Sequence, residues 1–530
     1  MPIIVTQIKS SLNEAKNNII EKAVKSIRIN NRNILLSDIY KTSLDARNQD
    51  NIHFVHSVYI ELDNPDYEKK LCTKNKNCSY IEKSVFSPVI SNDLYKGKTA
   101  VAGFGPAGMF AALVLAENGY KPIVFERGQC VENRIESVNN FWKNGILDEN
   151  SNVQFGEGGA GTFSDGKLTT RIKDPLCRYI LERFVEFGAP EEILTKAKPH
   201  IGTDNLRKIV KNIREHIIKL GGEIKFCTKL EDISIKNNRI SNVKAGGNEY
   251  EISALVLAVG HSARDTFRML ENKKIFIESK PFSVGVRIEH RQSDVDKSLY
   301  GKNAGNPLLP KGEYQLSYRD KDGRAVYTFC MCPGGTVVPA ASEKNTVVTN
   351  GMSEFARNGE NANSAIVVSV SPDDFGKKPL DGMNFAEMIE KKAYSYGNES
   401  YKAPAVTVNA FLDRKISLSS SVSPTYASGL KECELREIFP EYITDMLETG
   451  LYKFSSKMKC FGDGDAILTA PETRTSSPVR ITRNSDYQSL SAENLYPCGE
   501  GAGYAGGIVS AAVDGIKSAL KIMEKYSPER

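Results

Sequence analysis

The sequence predicts an α/β fold in three parts: a small α+β module, a parallel-sheet domain, and a mostly β domain inserted into that sheet domain. Three observations predict it. Residues 99–127 read as strand, glycine-dense turn, apolar helix, second strand and terminal acid. Residues 494–516 return to the same grammar, with a strand, a glycine turn and a small-residue helix. Between them, residues 281–480 are rich in Val, Tyr, Thr and Ser in short alternating runs, such as Phe282–Ile288 and Ala325–Met331. That is strand periodicity.

The first part spans residues 1–95. SLNEAKNNIIEKAVKSI (11–27) repeats apolar residues at helical spacing, and Ile34–Leu36 and Phe54–Leu62 alternate. This is a β-α-β-β start. The Lys/Asn-rich residues 63–98 are expected to be a solvated connection. Residues 98–280 and 481–530 form the sheet domain, and 281–480 form the insertion.

Composition narrows the function classes. The 530 residues are 40% hydrophobic and 25% charged, which is ordinary globular composition. A net charge of +5 is small for this length and argues for neither nucleic acid nor an anionic membrane surface. No run approaches the ~20 apolar residues of a transmembrane helix. The N-terminus lacks a basic segment before an apolar block, so the expected location is cytoplasmic. Ten scattered cysteines without a C-x-x-C fit a reducing compartment. Six histidines without an H-x-x-x-H pair argue against a metal site.

The first motif is G-x-G-x-x-G at Gly103, Gly105 and Gly108, with Pro106 and Ala107 opening the helix. Its context is Rossmann-like: strand before, helix after, second strand ending at Glu126. Gly103 allows the tight turn, Gly105 lets backbone approach a pyrophosphate, and Gly108 lets helix pack on strand. The helix N-terminus offers N–H groups and a positive dipole end to the phosphates. Glu126 suits a ribose hydroxyl and disfavours a 2′-phosphate.

This motif alone does not separate NAD from FAD. The C-terminal NLYPCGEGAGYAGGIVSAAVDGI resembles the second FAD motif of the glutathione-reductase-like flavoproteins. The resemblance implies non-covalent FAD. It implies that Glu500, next to Gly499, takes the acid role where Asp is commoner. It also implies that Gly506, Gly507 and Ile508 begin a helix beneath the flavin. Leu255–Gly260 resembles the apolar strand that crosses under the dinucleotide and ends in a glycine, here Gly260. Arg127 and Arg134 follow the first acid, and the resemblance implies that Arg134 reaches the pyrophosphate. The glycine-dense run 156–167, with Gly158, Gly159 and Lys167, reads as a flavin-contact loop or as a surface loop. Its place after the first βαβ unit favours the former.

Three blocks narrow the resemblance to uncharacterised bacterial FAD-dependent dehydrogenases related to the aminoacetone-type flavoproteins: SNVQFGEGGAGTFSDGKLTTR (151–171), FCMCPGGTVVPA (329–340) and PETRTSSPVRITR (471–483). That family implies oxidoreductase chemistry and a ferredoxin-like N-terminal module. It supplies no substrate. A second G-x-G-x-x-G for NAD(P)H is absent. Electrons therefore come from a transiently bound nicotinamide, from the substrate, or from a protein partner.

Candidates for chemistry are Cys332, Arg474 and Arg480. Cys330 and Cys332 form C-x-C, read either as a redox thiol pair or as buried structural cysteines; on a regular strand the pair is poorly set for a mutual disulfide. The C-x-x-x-x-C of disulfide reductases is absent, which disfavours disulfide reduction. The arginines suit an anionic substrate or an ion pair with Glu472, and the sequence leaves both open. His200 and His261 rank below these. The leading expectation is hydride transfer between flavin and a small organic, anionic substrate. An RNA-modifying flavoenzyme is disfavoured by the missing RNP-type aromatic motif. A purely structural FAD is disfavoured by the polar residues around the cofactor motifs. Oligomeric state is not legible.

Overall fold

The computed structural model describes residues 2–81, 86–93 and 98–528. Parts of the expected 63–98 connection (82–85 and 94–97) lie outside the described residues.

The N-terminal module runs strand Ile3–Ser10, helix Lys16–Ile27, strands Ile34–Asp45 and His53–Leu62, helix Pro65–Lys74 and strand Cys78–Tyr80. In space the strands order second, third, first, fourth, all antiparallel. Ile3, Val5, Val58 and Ile60 point into a core closed by Ile19, Ala23 and Ile27. The expectation of a solvated connection over 63–98 is corrected at its start. Asn64 caps the helix that Pro65 opens, accepting from the N–H groups of Asp66 and Tyr67. The Lys-rich face of that helix hid its three apolar anchors, Tyr67, Leu71 and Cys72.

The second domain carries a five-stranded parallel sheet. Its order is Leu495–Pro497, Ala254–Leu257, Thr99–Ala102, Ile123–Phe125, Glu223–Lys225. Sequence-distant strands thus lie side by side, and the 494–516 segment completes the sheet that residue 99 begins. The helices Pro106–Glu117 and Ile508–Lys525 pack closely, since Gly515 leaves no room for a Cβ against Ala107 O. Pro106–Glu117 is apolar on every side and buried on every side, from Ala107 to Ala116.

The third domain is built on a seven-stranded sheet. Its order is Ser317–Arg319, Ala325–Cys332, Asn361–Val370, Phe282–Arg291, Ile467–Glu472, Ala403–Thr407, Leu430–Glu432. It is less exclusively β than the sequence suggested. Helices Asp381–Tyr396 and Glu441–Ser455 pack on the sheet through Ala386, Ile389, Ala393, Ile443, Leu447, Leu451 and Phe454. Among the described residues, no helix is long and apolar enough to cross a membrane.

Candidate cofactor and substrate site

The glycines act where backbone must approach backbone. Gly103 adopts φ +95, and a Cβ there would fall 2.4 Å from Ala258 O. A Cβ on Gly108 would fall 1.9 Å from Gly103 O, so the helix sits on the turn itself. Above this contact lies a cavity of about 1560 Å³. It is larger than the ~300–1,000 Å³ of a usual small-molecule site, so it has room for a cofactor and a second molecule. One end is walled by Gly103, Gly105, Pro106, Ala107, Glu126 and Arg127. The middle is walled by Gly159, Gly260, Gly499, Glu500, Gly506, Gly507 and Ile508. The far end is the face of the seven-stranded sheet at Tyr327–Met331, together with Lys167, Lys198, Glu313 and Arg357.

This cavity fits a dinucleotide. Two helix N-termini, at Gly105–Pro106 and Gly507–Ile508, open onto it, and neither carries a side-chain cap. Free N–H groups and two positive dipole ends suit phosphate and reduced-flavin charge. A Cβ at Gly260 or Gly506 would meet nothing within 4 Å, so both glycines leave open space. Nε2 of His261, on the same wall, is buried and has no hydrogen-bond partner among the described residues.

Glu126 is only 4% exposed and accepts three backbone N–H groups: Phe104 at 2.7 Å, Gly128 at 2.9 Å and Gly156 at 3.0 Å. A carboxylate offers about four lone-pair sites, so one remains for a ribose hydroxyl. Glu126 therefore also fastens the 156–167 loop. Arg127 is spent on Asp265, to which it donates twice at 3.0 Å, and it lies over the Phe155 ring.

Arg134 requires a correction. It is fully buried and does not line the cavity. Its donors go to the carbonyls of Asn152, Val153, Glu157 and Gly159, at 2.7–3.0 Å. It shapes the glycine loop from behind and does not reach the pyrophosphate wall. The loop's tight glycine turns leave their carbonyls unpaired by regular structure, and the guanidinium fork collects them. Gly158 is likewise not a wall residue. Its Cβ position is taken by Thr162 Oγ1, and its φ of +80 makes the turn that Gly159 then continues.

Arg474 and Arg480 are corrected too. Arg474 lines the cavity, but it is bound to Glu390 (Nε 2.9 Å, Nη2 3.0 Å). Glu472 pairs with a different arginine, Arg287, at 2.8 and 2.9 Å. Arg480 is exposed on strand Val479–Ile481, away from the cavity wall, with its guanidinium over Tyr504. Of the C-x-C pair, Cys332 is fully buried and Cys330 lines the cavity. The reason is a bulge between Phe329 and Cys332 in the strand pairing. It puts Cys330 at φ +43 and breaks the same-face rule.

Several pairings at the site leave no mark along the sequence. Arg483 pairs with Asp514 at 2.6 and 2.9 Å, between the rings of Tyr487 and Tyr504. Asp514 accepts the Gly499 N–H at 2.7 Å, so this pair holds the second glycine turn. At the far end, buried Asp165 pairs with Lys167 (2.6 Å) and Arg357 (Nε 2.9 Å). Burial alone would raise the Asp165 carboxyl, but the two cations hold it below its usual value. Glu313 pairs with Lys198 at 2.6 Å. Three cations face two carboxylates here, leaving one positive charge in excess. His200 Nε2 donates to Phe355 O at 3.0 Å and the imidazole stacks on that ring, which is a structural placement.

The fold and cavity define a dinucleotide-binding flavoprotein. Residues 281–475 match the family "FAD-dependent protein, C-terminal domain-like". FAD is the cofactor of the protein. The chain belongs to the family of an uncharacterized protein of Clostridium beijerinckii, to which it is 47% identical over 532 residues, covering 99% of each chain. Among solved structures it is similar to glycine oxidase from Bacillus cereus (12% identity, 82% of this chain and 99% of that one, TM-score 0.31). It is also similar to L-proline dehydrogenase from P. horikoshii (12% identity, 82% and 95%, TM-score 0.34). No part of the functional reading rests on those two likenesses.

Proposed function

We propose that the protein is an FAD-dependent oxidoreductase, a dehydrogenase or reductase, that moves hydride between flavin and a small anionic organic substrate. The observation that supports it is the single cavity that joins the dinucleotide wall to a cationic pocket on the seven-stranded sheet. FAD, when bound, supplies the two-electron chemistry. The chain's own residues position and shield. The two uncapped helix ends bind the phosphates and stabilise negative charge at the ring end. Glu126 holds the ribose and Glu500 lines the wall beside it, 3.6 Å from Nδ1 of His261. Lys167, Lys198 and Arg357 supply the net positive charge that draws a carboxylate or phosphate. The N-terminal module is read as ferredoxin-like, and the dinucleotide domain as glutathione-reductase-like.

The test is an anaerobic visible spectrum of the purified protein before and after NADH or NADPH. Flavin bands are expected. Rapid bleaching makes a transient nicotinamide the electron donor. Persistent bands make the substrate or a partner the donor. A protein that shows no flavin bands after reconstitution with FAD overturns the reading.

A further inference from the structure

The C-x-C segment is a feature of the cavity wall that the binding and shielding roles do not absorb. Cys330 faces the cavity while Cys332 lies fully buried behind it. The left-handed φ of +43 at Cys330, inside a strand, is a conformation that costs about 1–3 kcal/mol for a non-glycine residue. The surroundings hold it there. Nη1 of buried Arg287 donates to Cys330 O at 3.3 Å, and Arg287 is itself fixed by Glu472 and by Asn363 (2.8 Å). The Cys332 thiol donates to Cys330 O at 3.4 Å. The neighbouring Cys332 side chain is the main cause that lowers the Cys330 thiol; burial opposes it, while Arg287 and Lys167 add to the lowering. A free cysteine lies near ~8.5. The cavity-facing member of the pair is therefore the more acidic one, and its partner is shielded from solvent. This is the arrangement of an attacking thiol with a resolving thiol.

We propose that Cys330 and Cys332 form a redox-active dithiol that exchanges an electron pair with FAD in the same cavity. The inference rests on FAD occupying that cavity. In one direction two S–H bonds break and one S–S bond forms, and the pair releases two electrons and two protons. FAD takes the electrons and protons and becomes FADH2. In the other direction FADH2 returns them, the S–S bond breaks and both thiols re-form. Atoms and electrons balance between the two couples without a further reagent. The bulge makes the bridge feasible. In an extended strand the two sulfurs would run parallel, whereas the bulge and the left-handed residue take the chain out of that arrangement.

Three measurements on the full-length holoprotein test this. Oxidised protein, titrated anaerobically with dithionite, should take up about four electrons per FAD, two for the flavin and two for the bridge. Cys330→Ser should take up about two, with unchanged flavin content. Peptide mass spectrometry of wild type treated with diamide should show a Cys330–Cys332 bridge that dithiothreitol removes. The rate of Cys330 alkylation by iodoacetamide in wild type should rise with a midpoint below the ~8.5 of a free cysteine, and Cys332→Ala should move that midpoint upward. Uptake of about two electrons by wild type and variant alike, with no bridge found, overturns the dithiol while leaving the flavin reading standing. A protein that binds no FAD overturns the flavin reading and the exchange together, whatever the thiols do.

Discussion

Glu390→Ala will lower stability by about 3–5 kcal/mol, the cost of breaking a buried ion pair by removing one partner. Glu390 is fully buried on helix Asp381–Tyr396 of the inserted domain. Its two oxygens accept from Arg264 at 2.8 and 2.9 Å, from Arg474 at 2.9 and 3.0 Å, and from the Thr473 hydroxyl at 2.6 Å. Arg264 belongs to the dinucleotide domain and also pairs with Glu343. One carboxylate therefore joins the two domains. Its removal leaves two buried guanidinium groups facing each other. The chain's single tryptophan reports on the same boundary, since Trp142 Nε1 donates to Pro339 O at 2.9 Å. Urea unfolding followed by Trp142 fluorescence should show a lower midpoint for the variant. An unfolding free energy within about 0.5 kcal/mol of wild type would sink the assignment.

The same carboxylate adds a pH dependence of known sign. Burial alone would raise the Glu390 carboxyl, but the two arginines hold it at about 2, below the value of about 4.3 for an unfolded chain. Between those values the unfolded state binds the extra proton, so stability rises with pH across that window. The contribution is complete above the unfolded value and disappears as pH falls toward 2. Glu390→Gln should flatten this acid limb.

Gly108→Val will abolish retention of FAD through gel filtration, with affinity reduced by at least about a hundredfold, or ~2.7 kcal/mol. A Cβ at this position lies 1.9 Å from Gly103 O and 3.1 Å from Val101 Cγ1. Neither the turn nor the strand can yield without moving the helix whose free end faces the cavity, and overpacking alone costs about 1–3 kcal/mol. Gly506→Ala separates cofactor contact from folding. Its Cβ meets nothing within 4 Å of protein, so apo-protein stability should stay within about 0.5 kcal/mol of wild type. If the cofactor occupies that space, FAD affinity falls nonetheless. Full FAD affinity in Gly506→Ala would place the cofactor elsewhere.

The geometry of the two glycine turns was legible because its requirements are local. A glycine at a positive φ, a helix that must touch a strand, and an acid at a strand end each leave a mark within a few residues of sequence. Gly103, Gly108 and Gly499 carry that mark, and so does the small-residue helix Ile508–Lys525. The roles of the arginines were not legible. Arg134, Arg474 and Arg287 are all strongly buried, and each role depends on which carbonyl or carboxylate the fold delivers. Those partners lie 18–25 residues away for Arg134, 84 for Arg474 and 185 for Arg287. A guanidinium has the same sequence signature whether it binds a substrate or a buried glutamate.

The sequence by itself determined the dinucleotide-type turn at Gly103–Gly108 and the strands beside it, because short-range sterics and helix-end electrostatics dictate both, while FAD followed from the resemblance of residues 494–516. Only the tertiary structure decided which cysteine faces the cavity, which carboxylate each buried cation meets, and that one glutamate ties two domains together. Those outcomes depend on a strand bulge and on long-range charge pairing, and neither has a period or a motif along the chain.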